Sequence, residues 1–205
     1  MKLLITGFDP FGGETVNPAW EAVSRLPKQI GSIQVIAMQI PTVFGLSLQK
    51  VQQRIEEEQP DVVISVGQAG GRKDITLERV AINLMDARIP DNQGNQPVDE
   101  PVVPSGPAAY FTTLPVKRMM SAIQAQGIGA SLSYTAGSFV CNSVMYGVLN
   151  LAANSSHPIQ AGFIHVPYLP WQIKEKPEVP SMELEKIVQG LTAAIQALEQ
   201  PKEEQ

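Results

Sequence analysis

The chain reads as a single α/β domain, a three-layer α/β/α sandwich built on a mostly parallel central sheet. Three observations predict this. Short apolar runs of strand length alternate with segments of helical period, the order that builds parallel strand–helix–strand units. Those runs are near-continuously apolar rather than alternating, as strands covered on both faces require. The length of 205 residues, with 43% hydrophobic content, suits one domain that buries roughly 70% of its unfolded surface.

In chain order, Lys2–Thr6 is the first strand, and it runs into the turn Thr6-Gly-Phe-Asp-Pro-Phe-Gly-Gly. A helix over Asn17–Leu26, a strand over Ser32–Gln39 and a helix over Val43–Glu58 follow. Asp61–Val66 is the next strand, leading into the glycine-rich Gly67–Arg72. Ala87–Pro107, rich in Pro, Asn, Gln, Asp and Gly, fits neither period; so long an irregular stretch is functional, or pinned against a partner. Lys117–Gln126 reads as helix, Ala130–Tyr134 as strand, Cys141–Asn154 as helix and Ile159–Val166 as strand. The last helix covers Ser181–Glu199, with Leu184, Ile187, Val188, Leu191, Ile195 and Leu198 on one apolar face and Ser181 as N-cap. The domain spans 1–205, with Pro201–Gln205 expected as a frayed tail.

Composition narrows the function. One Cys excludes a disulfide framework and multi-Cys metal sites. A net charge of −5 without a basic cluster argues against nucleic acid. No 18-residue apolar run and no long apolar N-terminal segment are present, so no membrane span or leader is expected. A reduced, cytoplasmic enzyme or binding domain remains, with no cofactor or metal expected.

No Asp, Glu, Lys or Arg occurs between Arg118 and Lys174. Such a stretch belongs to the middle of the sheet, or to a subunit interface, whose buried core is depleted of charge.

It also holds the only Cys and both His of the protein: Cys141, His157 and His165. Cys141 follows a small-residue turn and opens an apolar helix, where the helix dipole favours the thiolate. The plain alternative is a buried structural thiol. A thiolate nucleophile needs a base, most often His. His157 lies in a polar turn. His165 ends an apolar run, where burial demands a partner, and it is the preferred base. Both Cys141 and His165 are expected at the C-terminal edge of one sheet, as consecutive strand–helix–strand order dictates. A third group should orient the imidazole. Glu78 sits in a half-apolar alternation, where a solvent-facing edge-strand Glu is the plainer reading. Gly67–Arg72 matches no phosphate loop. Phe8 and Phe11 share one turn, as an apolar ligand wall or as a cap on the core. These candidates converge on the sheet edge where ligands bind in open parallel sheets.

The run Ser133-Tyr-Thr-Ala-Gly-Ser-Phe-Val-Cys-Asn resembles the cysteine signature of the pyroglutamyl-peptidase I (pyrrolidone-carboxylate peptidase) family. Gly67 to Asn83, with Glu78-Arg79-Val80-Ala81-Ile82-Asn83, resembles that family's glutamate signature. The opening Thr6-Gly-Phe-Asp-Pro-Phe-Gly-Gly and Ala87-Arg-Ile-Pro-Asp match as well, and the similarity runs from Leu3 to the final helix. The resemblance implies a cytoplasmic cysteine exopeptidase, an omega peptidase that removes N-terminal pyroglutamate from peptides through a thioester acyl-enzyme. It implies a catalytic triad of Cys141, His165 and Glu78. It implies substrate contacts at Phe8, Phe11, Asn17, Gln68 and Val140, with Arg88 helping at the oxyanion and Asp91 in support. It also implies a homotetramer. Two other classes predict different behaviour: a nucleoside or sugar enzyme using Gly67–Arg72 for an anion, and a scaffold using the charge-free face for a partner.

Overall fold

The computed structural model describes residues 1–199, so the tail expected at 201–205 lies outside the described residues. Nine strands and five α-helices are present among them: β1 (Lys2–Phe8), α1 (Pro18–Val23), β2 (Gln29–Ile30), β3 (Ile33–Ile40), α2 (Leu46–Glu58), β4 (Val62–Gln68), β5 (Ile75–Glu78), β6 (Val80–Ile82), β7 (Ala109–Phe111), α3 (Val116–Gln124), β8 (Ala130–Ser133), α4 (Val140–Asn154), β9 (Gln160–Val166) and α5 (Leu184–Gln196). A 3-10 turn, Pro170–Ile173, precedes α5.

Seven strands form one sheet in the order β2-β3-β1-β4-β9-β5-β8, and β6 pairs with β7 apart from it. Strands β3, β1, β4 and β9 run parallel. Their residues alternate between two cores. Leu3, Ile5, Val62, Ile64 and Val66 pack with α1, α3 and α5; Leu4, Val63 and Phe163 pack with α2 and α4. Two-sided burial explains why β1, β4 and β9 read as continuous apolar runs, whereas β3 leaves Gln34, Ala37 and Gln39 exposed.

The simple strand–helix–strand reading fails at one point, and that point positions the site. β5 enters between β9 and β8, antiparallel to β9 and parallel to β8. β8 therefore runs opposite to β9, and α4 connects two strands that are neither neighbours nor parallel. β5 has four residues, all buried, too short a run to stand out against the loops around it. Its interior position also overturns the edge-strand reading of Glu78.

The final helix is shorter than expected and Ser181 is not its cap. Ser181 pairs with Tyr168 in an isolated bridge and Met182 N donates to Tyr168 O at 2.8 Å. Extended backbone there delays the helix until Leu184. The charge-free stretch is largely explained within the chain, because Val140 through Leu149 of α4 are almost all buried. Ala87–Pro107 is pinned to its own chain. Asn92 Nδ2 donates to Pro10 O at 2.9 Å, Asn83 bonds Val103, and Tyr146 Oη donates to Pro107 O at 2.7 Å.

Candidate active site

β5 supplies the first piece. Its antiparallel register sets Thr76 opposite His165 of β9. Side chains two residues apart share a face, so Glu78 projects on the same side as His165. Glu78 Oε1 lies 2.7 Å from His165 Nδ1. An ionised carboxylate only accepts, so Nδ1 carries the hydrogen and Nε2 is left as the basic nitrogen. Burial opposes the charge on Glu78, but the hydrogen bond and charge of His165, with bonds from Ser133 and Arg72, hold its carboxyl below the ordinary value. Burial in turn pushes the His165 imidazole down, with Glu78 working against that and Arg72 with it.

The thiol comes from the other side. α4 begins at Val140, with Phe139 as N-cap and no side chain capping it. The first amides of the helix, which have no partner within it, therefore lie beside Cys141 without a capping side chain. A Cβ on Gly67 would lie 2.9 Å from Cys141 Sγ and 2.9 Å from Phe163 Cζ. Only glycine lets the sulfur descend onto β4 there. Gly67 is the register partner of His165, and the Phe163 and His165 ring centroids are 4.7 Å apart. The sulfur therefore rests on the strand residue beside the imidazole, on one face of the sheet. Burial, then the charge of Glu78, push the thiol up to about 12, against Arg72 and the thiol's own backbone N–H. Both shifts favour the uncharged forms of the thiol and the imidazole. The thiolate expected from the helix terminus alone is overridden by desolvation.

Aromatic rings line the approach. Phe8, 2% exposed, packs on Phe163 with centroids 6.3 Å apart, so it is floor rather than wall. Phe11 is half-buried and stands 6.2 Å from Phe139, which meets Phe44 edge-on at 5.2 Å. Phe44, Phe139 and Phe163 were not among the expected residues. Phe139 and Phe163 sit within two positions of Cys141 and His165, a signal the sequence carries.

The remaining expected residues divide. Val140 is buried beside Cys141. Gln68 follows Gly67 and so faces the opposite side of β4, where its Oε1 accepts from Gln172 Nε2 at 3.0 Å. Its backbone is better placed. Ala69 N donates to Val166 O at 2.9 Å, and peptide planarity aims the Gln68 carbonyl the other way, away from β9. Asn17 is the N-cap of α1: Oδ1 accepts from Ala19 N at 3.0 Å and Nδ2 donates to Asp9 O at 2.9 Å. Asp91 is buried and organises its loop, accepting from the backbone of Phe44, Gln93 and Asn95. Burial works against its charge, but those bonds and the Asn95 side chain hold its carboxyl low. Arg88 is exposed. Its neighbour Asp86 is tied to Ser138, near the start of α4, by Ser138 Oγ donating to Asp86 O at 2.7 Å. His157 precedes β9 at the far end from His165 and joins no part of the site.

The comparisons agree over nearly the whole chain. The family model described as pyroglutamyl peptidase matches residues 1–201. A pyrrolidone-carboxylate peptidase of Levilactobacillus brevis is 59% identical over 198 residues, covering 97% of both chains. That of Treponema denticola is 54% identical over 204 residues, covering 98% of this chain and 94% of its own. The crystal structure of pyroglutamyl peptidase I from Bacillus amyloliquefaciens superposes with a TM-score of 0.93 at 52% identity, covering 96% of each chain. A variant of the pyrrolidone carboxyl peptidase from the hyperthermophile Pyrococcus furiosus gives a TM-score of 0.93 at 44% identity, covering 97% of this chain and 98% of that one.

Proposed function

The chain belongs to the pyroglutamyl peptidase family, cysteine peptidases that remove N-terminal pyroglutamate, and on that premise we propose that Cys141, His165 and Glu78 carry out this hydrolysis here. The observation that carries the reading is the Glu78–His165 hydrogen bond of 2.7 Å, with the Cys141 sulfur seated on Gly67 beside that imidazole.

Substrate enters with the thiol still protonated. His165 Nε2 removes the thiol proton as the sulfur attacks the carbonyl that joins pyroglutamate to the next residue. Glu78 steadies the imidazolium that forms. The negative oxygen is met by the free amides at the start of α4. When the carbon–nitrogen bond breaks, the imidazolium protonates the leaving amine and a thioester remains. Water, deprotonated by His165, then attacks the thioester; free pyroglutamate leaves and the thiol regains its proton.

Pyroglutamate is a flat, neutral lactam without a free amine. The rings of Phe11 and Phe139 suit its faces above the buried Phe8 floor, and the Gln68 carbonyl suits its N–H. Val140 closes the pocket beside the sulfur. Asn17 and Asp91 hold the loops that carry Phe11 and Phe44, and the exposed Arg88 is assigned to help at the oxyanion. The arginine of Gly67–Arg72 is already bonded to Glu78, which speaks against an anion site in that loop. A homotetramer and a cytoplasmic location complete the reading. Tyr134 and Trp171, 70% and 45% exposed within the charge-free stretch, support an interface there, and sedimentation velocity tests it.

The decisive assay is release of a chromophore from a pyroglutamyl amide, with the prolyl amide as control. Cys141→Ser and His165→Ala should abolish turnover, and His157→Ala should keep it. Iodoacetamide should inactivate the enzyme and chelators should not. Turnover surviving in Cys141→Ser sinks the reading.

A further inference from the structure

Two opposite charges stand at the reacting pair, and the mechanism above uses only Glu78. The other is Arg72. Its Nη1 donates to Glu78 Oε1 at 2.6 Å and to Thr76 Oγ1 at 2.6 Å, and its Nη2 donates to Thr135 O at 3.2 Å. The oxygen it holds is the one His165 uses. The local chain explains the reach. Gly71 has φ +87, and Arg72 N turns back to Ala69 O at 3.3 Å, so the side chain folds over β5. Thr76 and Glu78, two residues apart on β5, share one face and both accept from Arg72.

The surroundings make this contact consequential. β4, β8, β9 and α4 carry no Asp, Glu, Lys or Arg; β9 brings only His165, and α4 brings Cys141 and Tyr146, whose hydroxyl is turned to Pro107 O. The charges acting on the pair are Glu78 from β5 and Arg72 from the turn before it. A buried carboxylate alone would oppose the thiolate and favour imidazolium. His165 would then draw its proton from solvent and could no longer take one from Cys141. A cation bonded to that carboxylate opposes both tendencies.

We propose that Arg72 is a positioning residue for the hydrolysis: it clamps Glu78 to the loop that enters α4, and it neutralises that carboxylate so His165 stays free to accept the Cys141 proton. This rests on the assignment of Cys141, His165 and Glu78 above.

The test is the pH profile of kcat/KM for the pyroglutamyl amide in Arg72→Gln, which keeps a donor and loses the charge, and in Arg72→Lys, which keeps the charge. The acid limb reports proton uptake by His165 and the alkaline limb reports proton loss from the thiol. Removing the cation raises both, so the whole bell in Arg72→Gln should move to higher pH by about one unit, with kcat/KM near neutrality down about 10–10²-fold, the scale for losing an orienting partner. Arg72→Lys should lose rate through its weaker grip on Thr135 yet keep both limbs in place. The pH dependence of Cys141 alkylation, followed by mass, should shift with the alkaline limb and needs no turnover. Limbs unmoved in Arg72→Gln, or moved equally in Arg72→Lys, overturn the proposal while leaving the triad standing. Turnover in Cys141→Ser instead removes the triad on which the proposal rests.

Discussion

Glu78 Oε1 and His165 Nδ1 are 2.7 Å apart across 87 positions of sequence. The bond fixes which imidazole nitrogen is basic, and that makes it testable. Glu78→Gln can turn an N–H toward Nδ1 and stabilise the wrong tautomer. By analogy with the same exchange in serine-peptidase triads, kcat should fall by about 10⁴ with KM little changed. Steady-state kinetics on the pyroglutamyl amide checks this; a large KM change with kcat intact would place Glu78 in substrate binding instead.

Gly67→Ala puts a methyl 2.9 Å from both the Cys141 sulfur and the Phe163 ring. Overpacking of this kind costs about 1–3 kcal/mol of stability. The displaced sulfur should cost much more in rate, about 10²-fold for a misplacement near 1 Å. Denaturant titration and kinetics on one preparation separate the two effects; a variant with normal kcat would show that the thiol does not work from this position.

The pH dependence has a defined sign on each side. His165 must be neutral to act, and burial holds its imidazole below the ordinary 6.5. The acid limb of kcat/KM should therefore lie below 6.5. Below the ordinary value the unfolded chain binds a proton that the folded chain refuses, so stability falls as pH drops through that range. Cys141 acts in the other direction: the folded thiol keeps its proton to about 12 against 9.0 ordinarily. Stability should fall as pH climbs through that interval, and less steeply in Cys141→Ala. Urea unfolding of both proteins across pH is the measurement.

Asp91 accepts three backbone amides and the Asn95 side chain, and one of those amides belongs to Phe44, 47 positions away. Asp91→Ala should destabilise the fold by about 2–4 kcal/mol through donors left unpaired. It should raise KM more than it lowers kcat, because the loop tethers Phe44 and so the aromatic lining. A fall in kcat alone would instead assign Asp91 to the chemistry.

How much of this was legible depends on the range over which each feature is encoded. β1, β4 and β9 stood out because burial on both faces leaves a near-continuous apolar run. β5 did not, since four residues carry too little pattern. Glu78 was consequently a candidate with a plainer solvent-facing reading beside it, until the likeness of its surrounding motif singled it out. Arg72 belonged to the same run, but its partnership with Glu78 depends on the chain reversal at Gly71. Ser181 looked like a cap because capping is local chemistry; its pairing with Tyr168 is not local.

The order of residues alone determined the alternation of strands and helices, the single thiol and two imidazoles, and the absence of charge around them. Only the three-dimensional arrangement decided that β5 lies antiparallel against β9, that a carboxylate reaches His165 from there, and that the sulfur stays protonated at rest. The physical reason is that apolar periodicity and capping act between near neighbours in the chain, whereas strand insertion and desolvation act between groups tens of residues apart.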